Sequence, residues 1–161
     1  MTETDHVQQL ARLIDGEKFA MLTTRTPEGT FMSRPMALQQ VEFDGDLWFF
    51  SGRDTRKTGQ VAADPQVSVT VSSADVWVSL SGRATVVDDL AKKRELWNAG
   101  IEAWFPDGRD KNSVVLLHVE GDSAEYWDTP GGRVTTAISF AKAKLTGKRY
   151  TGGDNEKVDL S

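Results

Sequence analysis

Two polar segments hold the side chains best suited to gripping an anion. Ser33 and Arg34 stand directly before Pro35 and Met36, and Ser51, Arg53, Thr55, Arg56 and Lys57 cluster farther along. A helix opening near Asp54 or Thr55 adds unpaired backbone N–H groups and partial positive charge at its start. Hydroxyls from Ser51 and Thr55, the Lys57 ammonium and an Arg34 guanidinium able to clamp two oxygens at once would then form a phosphate seat. The spacing leaves a second reading open, an ordinary solvated first turn with charged side chains.

Other chemistry finds little support. His6 sits in a polar N-terminal stretch, and His118 alternates with Leu117 and Val119 on an expected strand. Neither has a neighbouring His or Cys, so a transition-metal site is not expected. No local pattern supplies the His and carboxylate of a serine-type triad. A glycine-rich phosphate loop is absent as well. The chain has no cysteine, which excludes disulfides and a thiol nucleophile and suits a reducing cytoplasm. A formal net charge of −5 argues against general nucleic-acid binding. The longest apolar run, Val114 to Leu117, is far too short to span a membrane.

These residues need elements to position them. The length of 161 residues fits one domain, with a core over about residues 7–147 and a polar, frayed tail over 150–161. Val7, Leu10, Ala11 and Ile14 predict a helix near residues 5–15, stopped by Gly16. Phe19–Thr26 and Thr30–Phe43 read as strands about a Pro27-Glu28-Gly29 turn, with Pro35 marking an edge, a bulge or a break in pairing. Asp44-Gly45 predicts a hairpin into a third strand over Asp46–Phe50. A short helix capped by Asp54 or Thr55 ends before Asp64-Pro65. Strands follow over Gln66–Ser72 and Val76–Val87, with a bulge or close approach at Gly82.

Asp88 or Asp89 caps a longer helix whose apolar positions Leu90, Trp97, Ile101 and Trp104 keep helical phase. A strand over Ser113–Val119, a turn at Glu120-Gly121-Asp122 and further extended chain over Ala124–Trp127 come next. Ile138, Ala141 and Leu145 suggest a last helix before Gly147. Short turns between most strands favour an antiparallel sheet, and long bulged strands with scattered helices favour a barrel. The fold class expected is mainly β, a barrel of about six mostly antiparallel strands with peripheral helices. Five tryptophans are many for this length, and Trp is enriched in cores, interfaces and flat-ligand pockets.

At this point the chain resembles a family. Ser33-Arg34-Pro35-Met36, then Asp44 to Phe50, then Asp54-Thr55-Arg56-Lys57, are similar to the FMN-binding split-barrel proteins of the pyridoxamine 5'-phosphate oxidase-like group, general stress protein 26 branch. Asp64 to Val67, Ser81 to Val86 and Ala124 to Asp128 continue the likeness in order, across roughly residues 7–147. The resemblance implies FMN as cofactor, with Arg34 and Lys57 on its phosphate, aided by Ser51 and Thr55. It places Ser33, Pro35 and Met36 beside the ring or ribityl chain, and Phe49 and Phe50 as backbone groups and a wall. It further implies a homodimer with shared flavin sites, closed from the partner by Trp77, Val78, Ser79, Trp104 and Trp127.

The likeness ends where true pyridoxamine-phosphate oxidases carry a basic substrate-gripping segment; here Asp128-Thr129-Pro130-Gly131-Gly132-Arg133 follows Trp127, which argues against vitamin-B6 oxidation. The haem-degrading members need an iron-contacting side chain, and His6 and His118 suggest none. The resemblance therefore implies a flavin-dependent oxidoreductase acting on a small molecule, and the composition points to a cytoplasmic protein. A non-catalytic flavin store or sensor, an F420-type reductase and a flavin-free binding module stand as alternatives.

Overall fold

The computed structural model describes residues 2–127, 144–147 and 155–161. In chain order the elements are α1 (Glu3–Ile14), β1 (Phe19–Arg25), β2 (Phe31–Ala37), β3 (Asp46–Gly52), α2 (Arg56–Ala63), β4 (Gln66–Ser72), β5 (Trp77–Val87), α3 (Leu90–Leu96), α4 (Ala99–Trp104), β6 (Val114–Trp127) and β7 (Asn155–Asp159). All pairings are antiparallel, in the order β2-β1-β4-β5-β6-β3, with β7 on β6. The two ends of this path, β2 and β3, touch without a hydrogen-bonded ladder. The result is a split β-barrel of seven strands among the described residues, with peripheral helices: the mainly β class agrees with the sequence pattern, and the split-barrel form with the resemblance.

Alternation fills its interior. In β4, Val67, Val69 and Val71 turn inward while Ser68 and Thr70 lie on the other face. Leu22, Phe49, Leu80, Leu117 and Val119 join them in one buried cluster with Leu10 of α1. A smaller cluster packs Leu96 and Ile101, from α3 and α4, against Phe50, Val114 and Leu116. This second cluster fixes α4 beside the end of β3.

Several expectations give way. β2 stops at Ala37, and Val41–Phe43 is not a strand. Asp44-Gly45 therefore makes no hairpin: Gly45 takes a positive φ of 112°, and the β3 that follows pairs with β6. The helix expected from Leu90 to Trp104 is two helices. Asn98 breaks it, because its side chain accepts from Ile101 N and so opens a new helix. Glu120-Gly121-Asp122 is not a turn but the middle of the continuous strand β6.

The register between β5 and β6 shifts at Ser81/Gly82, where Gly82 opposes Gly121. A Cβ on Gly82 would lie 2.2 Å from the Glu120 carbonyl oxygen, and one on Gly121 2.6 Å from that of Gly45. Both glycines are there for close backbone approach. The expected frayed tail is also corrected: Asn155–Asp159 is strand β7, with Val158 buried against the core. The last expected helix lies mostly outside the described residues; of its positions, Leu145 is exposed.

Candidate functional site

Thr55 caps α2 and organises the turn leaving β3. Its hydroxyl accepts from Thr58 N, donates to the Gly52 carbonyl at 3.0 Å, and lies 2.8 Å from the Thr58 hydroxyl and 3.3 Å from that of Ser51. Thr58 donates to the same Gly52 carbonyl at 2.9 Å. Ser51 is buried, and its hydroxyl is shared among Gly52, Thr55 and Thr58. These hydroxyls therefore shape the loop and hold the start of α2, which carries Arg56 and Lys57.

Arg34 reaches the same region from the neighbouring edge strand. Alternation along β2 turns Met36 inward and leaves Ser33 and Pro35 exposed, while Arg34 is half-buried. Its Nη1 donates to the Leu22 carbonyl at 3.2 Å and to Thr24 Oγ1 at 2.7 Å, and its Nη2 donates to Gln60 Oε1 at 3.1 Å. Thr24 in turn donates to Gln60 Oε1 at 2.7 Å, so the guanidinium is held by neutral acceptors on two elements. Pro35, facing the other way, pairs with Met21 on the open edge, where its missing N–H costs no ladder bond.

The electrostatics of this corner are one-sided. Burial first, and then the neighbouring Arg56, pull the Arg34 guanidinium below its ordinary pKa. Burial, followed by the nearby Arg34 charge, lowers that of Lys57. Among the described residues no carboxylate pairs with Arg34, Arg56 or Lys57. Arg34 and Lys57 are part-buried and Arg56 is exposed, and taking charge out of water is costly without a partner. Three neighbouring cations without a counter-charge have the character of an anion site.

Beside Lys57 opens a cleft of about 210 Å³. Pro35, Met36, Phe50, Ser51, Lys57 and Trp104 line it with Phe19, Ala37, Ile101 and Phe105. A cationic end and largely apolar walls suit a flat ligand that carries an anionic tail. Lys57 belongs to both the cation group and the cleft lining, and so joins the two.

The remaining sequence candidates separate. Arg53 turns away from the cation group: it binds Asp88 and donates Nε to the Asn112 carbonyl at 2.6 Å, tying the β3 end to the start of α3 and β6. Phe49 is wholly buried in the core and does not line the cleft. Ser33 pairs with Thr23 on the outer face, hydroxyl to hydroxyl at 2.6 Å. Trp104, expected to close the pocket of a partner chain, stands at the mouth of its own chain's cleft.

Trp77 and Trp127 pair across β5 and β6, both part-exposed, with Ser79 beside Glu125 in the next row. Val78 lies between them but is buried in the core, so it offers the outside only its backbone. Each histidine has a side-chain partner. His118 binds Asp46 at 2.7 Å and stacks on Trp48, while His6 binds the Tyr126 hydroxyl at 3.1 Å. Among the described residues no group of His, Cys, Asp and Glu could hold a metal, and no helix is long and apolar enough to cross a membrane.

The sequence pattern does not mark Thr24, Thr58 and Gln60, and it places Arg56 in the cation cluster without a specific contact. Gln60 carries a faint signal: it is a polar residue four positions beyond Arg56 on a short helix that ends in Val61 and alanines. Its partner Arg34 is distant in sequence, so no local pattern marks the pair.

Comparison with known proteins agrees with the fold. The chain is 29% identical over 157 residues to Protein bli-3 of Neurospora crassa, covering 90% of this chain and 75% of that one. A crystal structure of a general stress protein 26 from Jannaschia sp. CCS1 superposes with a TM-score of 0.79 at 26% identity, covering 97% of this chain and 99% of the other. The general stress FMN/FAD binding protein of Xanthomonas citri superposes with a TM-score of 0.67 at 25% identity, over 78% of this chain and 89% of that one. The family model for "pyridoxamine 5'-phosphate oxidase like" proteins matches residues 5–151, and the chain belongs to that family.

Proposed function

We propose that this protein binds FMN, with the phosphate on Arg34, Arg56 and Lys57 and the ring in the cleft walled by Pro35, Met36, Phe50 and Trp104, and that it works as a flavin-dependent oxidoreductase on a small molecule. The observation that carries the reading is the cation group with no carboxylate among the described residues. The likeness to a general stress FMN/FAD binding protein supports it. When bound, the flavin supplies the redox chemistry. The chain's own residues have narrower tasks. Gln60 and Thr24 hold the Arg34 fork in place before the ligand arrives. The Ser51–Thr55–Thr58 hydroxyls keep the α2 start in register. Phe50 and Ile101 keep water from the cleft floor, both being buried. This chemistry needs no triad or metal from the protein.

The reading includes a homodimer with shared flavin sites. Exposed Met21, Trp77 and Trp127 give the sheet an apolar outer surface that supports association. It also includes a cytoplasmic location, supported by the lack of cysteine. Light scattering of the flavin-loaded protein checks the dimer, and a monomer mass would refute it.

A longer cofactor of the F420 or FAD kind is the second reading. It is favoured by a groove of about 740 Å³ beside the cation group, lined by Arg25, Met32, Arg56 and Gln60 among others. A third, a flavin store without turnover, shares the site. The visible spectrum of the purified protein tests the cofactor: flavin absorbance, with FMN released on denaturation, is expected. A colourless protein that ignores added FMN would refute it. Steady NAD(P)H oxidation with an added acceptor separates the enzyme from the store.

A further inference from the structure

A second hollow adjoins the cleft that the flavin reading assigns to the ring. Its volume is about 410 Å³, within the range of about 300–1,000 Å³ usual for small-molecule sites. The two share Phe19, Ala37, Ile101 and Trp104 as walls, so they are compartments of one depression. Phe19 is 54% exposed and Trp104 70% exposed, two aromatic side chains facing open space at the boundary. Ile101 and Leu38 are buried and form an apolar floor.

The polar lining is restricted. Asn98 is fully used: its amide donates to Gln39 Oε1 at 3.1 Å and to the Leu96 carbonyl at 3.3 Å, and its oxygen accepts from Ile101 N. Gln40 donates to the Glu17 carbonyl at 3.3 Å. Lys18 is the one charged side chain in the lining; it is exposed and takes part in no ion pair among the described residues. The Glu17 carboxylate beside it in sequence accepts from Ser73 instead.

We infer that the hollow bounded by Lys18, Phe19, Ile101 and Trp104 is a subsite for a small planar aromatic anion, a carboxylate or sulfonate, seated against the aromatic walls with its charge on Lys18. The inference rests on the flavin reading for its role, since a molecule held there would abut the ring and so would be the partner substrate. The binding itself follows from this lining alone. Exposed aromatic faces favour a flat ring. A lone ammonium without a counter-charge favours an anion over a cation or a neutral polar molecule.

The test uses 2-naphthoate and its uncharged amide as probes, titrated by tryptophan fluorescence into the protein with and without FMN. Wild-type protein is expected to bind 2-naphthoate saturably and the amide about tenfold more weakly, the loss of one charge-assisted hydrogen bond. Lys18→Gln should weaken 2-naphthoate by a similar factor, leave the amide unchanged and leave FMN affinity within about twofold. No saturable binding, equal binding of the two probes, or wild-type naphthoate affinity in Lys18→Gln would each overturn the subsite. Loss of FMN affinity in Lys18→Gln would overturn it too, because the hollow would then hold the flavin itself. If FMN binds to neither protein the flavin reading fails, and the titration without FMN still decides this one.

Discussion

Replacing Lys57 with methionine should move ligand affinity and free-protein stability in opposite directions. Lys57 is half-buried, its charge is opposed by burial and by Arg34, and it has no acid partner among the described residues. Methionine keeps the stem and removes the ammonium. In the complex this deletes a charge-assisted hydrogen bond to phosphate, a loss of about 1.5–3 kcal/mol. At about 1.36 kcal/mol per tenfold, FMN should bind roughly 10- to 160-fold more weakly. In the free protein the same change relieves repulsion with Arg34, so the melting temperature should hold or rise.

The pH dependence gives a second handle. The folded-state pKa of Lys57 lies below its unfolded value, so the unfolded chain binds the extra proton. Stability of the free protein therefore rises with pH through the window from that lowered value up to the ordinary lysine value near 10.5. Below the window the full penalty remains. Lys57→Met should lack this alkaline gain. Flavin-fluorescence titration gives the affinity, and urea melts of flavin-free protein across the alkaline range give the stability. Wild-type affinity would show that the phosphate lies elsewhere. A markedly less stable free protein would show that Lys57 has a structural partner.

Four further outcomes follow from the geometry. Gln60→Ala removes an acceptor from Arg34 and should weaken FMN about three- to tenfold in the same titration, through one ordinary hydrogen bond's worth of lost positioning. Gly82→Ala forces a Cβ against the Glu120 carbonyl, so urea melts should show a loss of about 1–3 kcal/mol, the range for overpacking. Val158→Ala should cost about 1–3 kcal/mol in the same melts if β7 is integral to the sheet, and nothing measurable if the tail is loose. Lys93, buried and bonded to Asp88 and the Val114 carbonyl, should cost about 1–3 kcal/mol when replaced by Met, again read from denaturation midpoints.

What the sequence reveals depends on how far apart the deciding residues lie. β4 has the predicted bounds because Val67, Val69 and Val71 alternate with Ser68 and Thr70, and a half-buried strand is a local pattern. Thr55 capping α2 is local too. The Asp44-Gly45 turn misleads because the partner of β3 is β6, far along the chain, and turn chemistry carries no information about it. The helical phase from Leu90 to Trp104 is real, but the Asn98 side chain outcompetes it by capping α4. β7 hides because an edge strand with one buried residue, Val158, looks like any polar tail.

The site divides in the same way. Lys57 stands out by residue type beside a helix start and Arg34 by its place before Pro35, while spacing alone leaves a solvated turn equally open. The diversion of Arg53 to Asp88, and the hold of Gln60 on Arg34, depend on side chains that only the fold brings together.

The central claim is that Arg34, Arg56 and Lys57 form one phosphate seat. A crystal structure of the protein with FMN tests it most directly. The phosphate is expected within hydrogen-bond distance of the Lys57 ammonium and the Arg34 guanidinium, with the ring between Pro35 and Trp104. A phosphate bound elsewhere, with those cations facing solvent, would contradict the account.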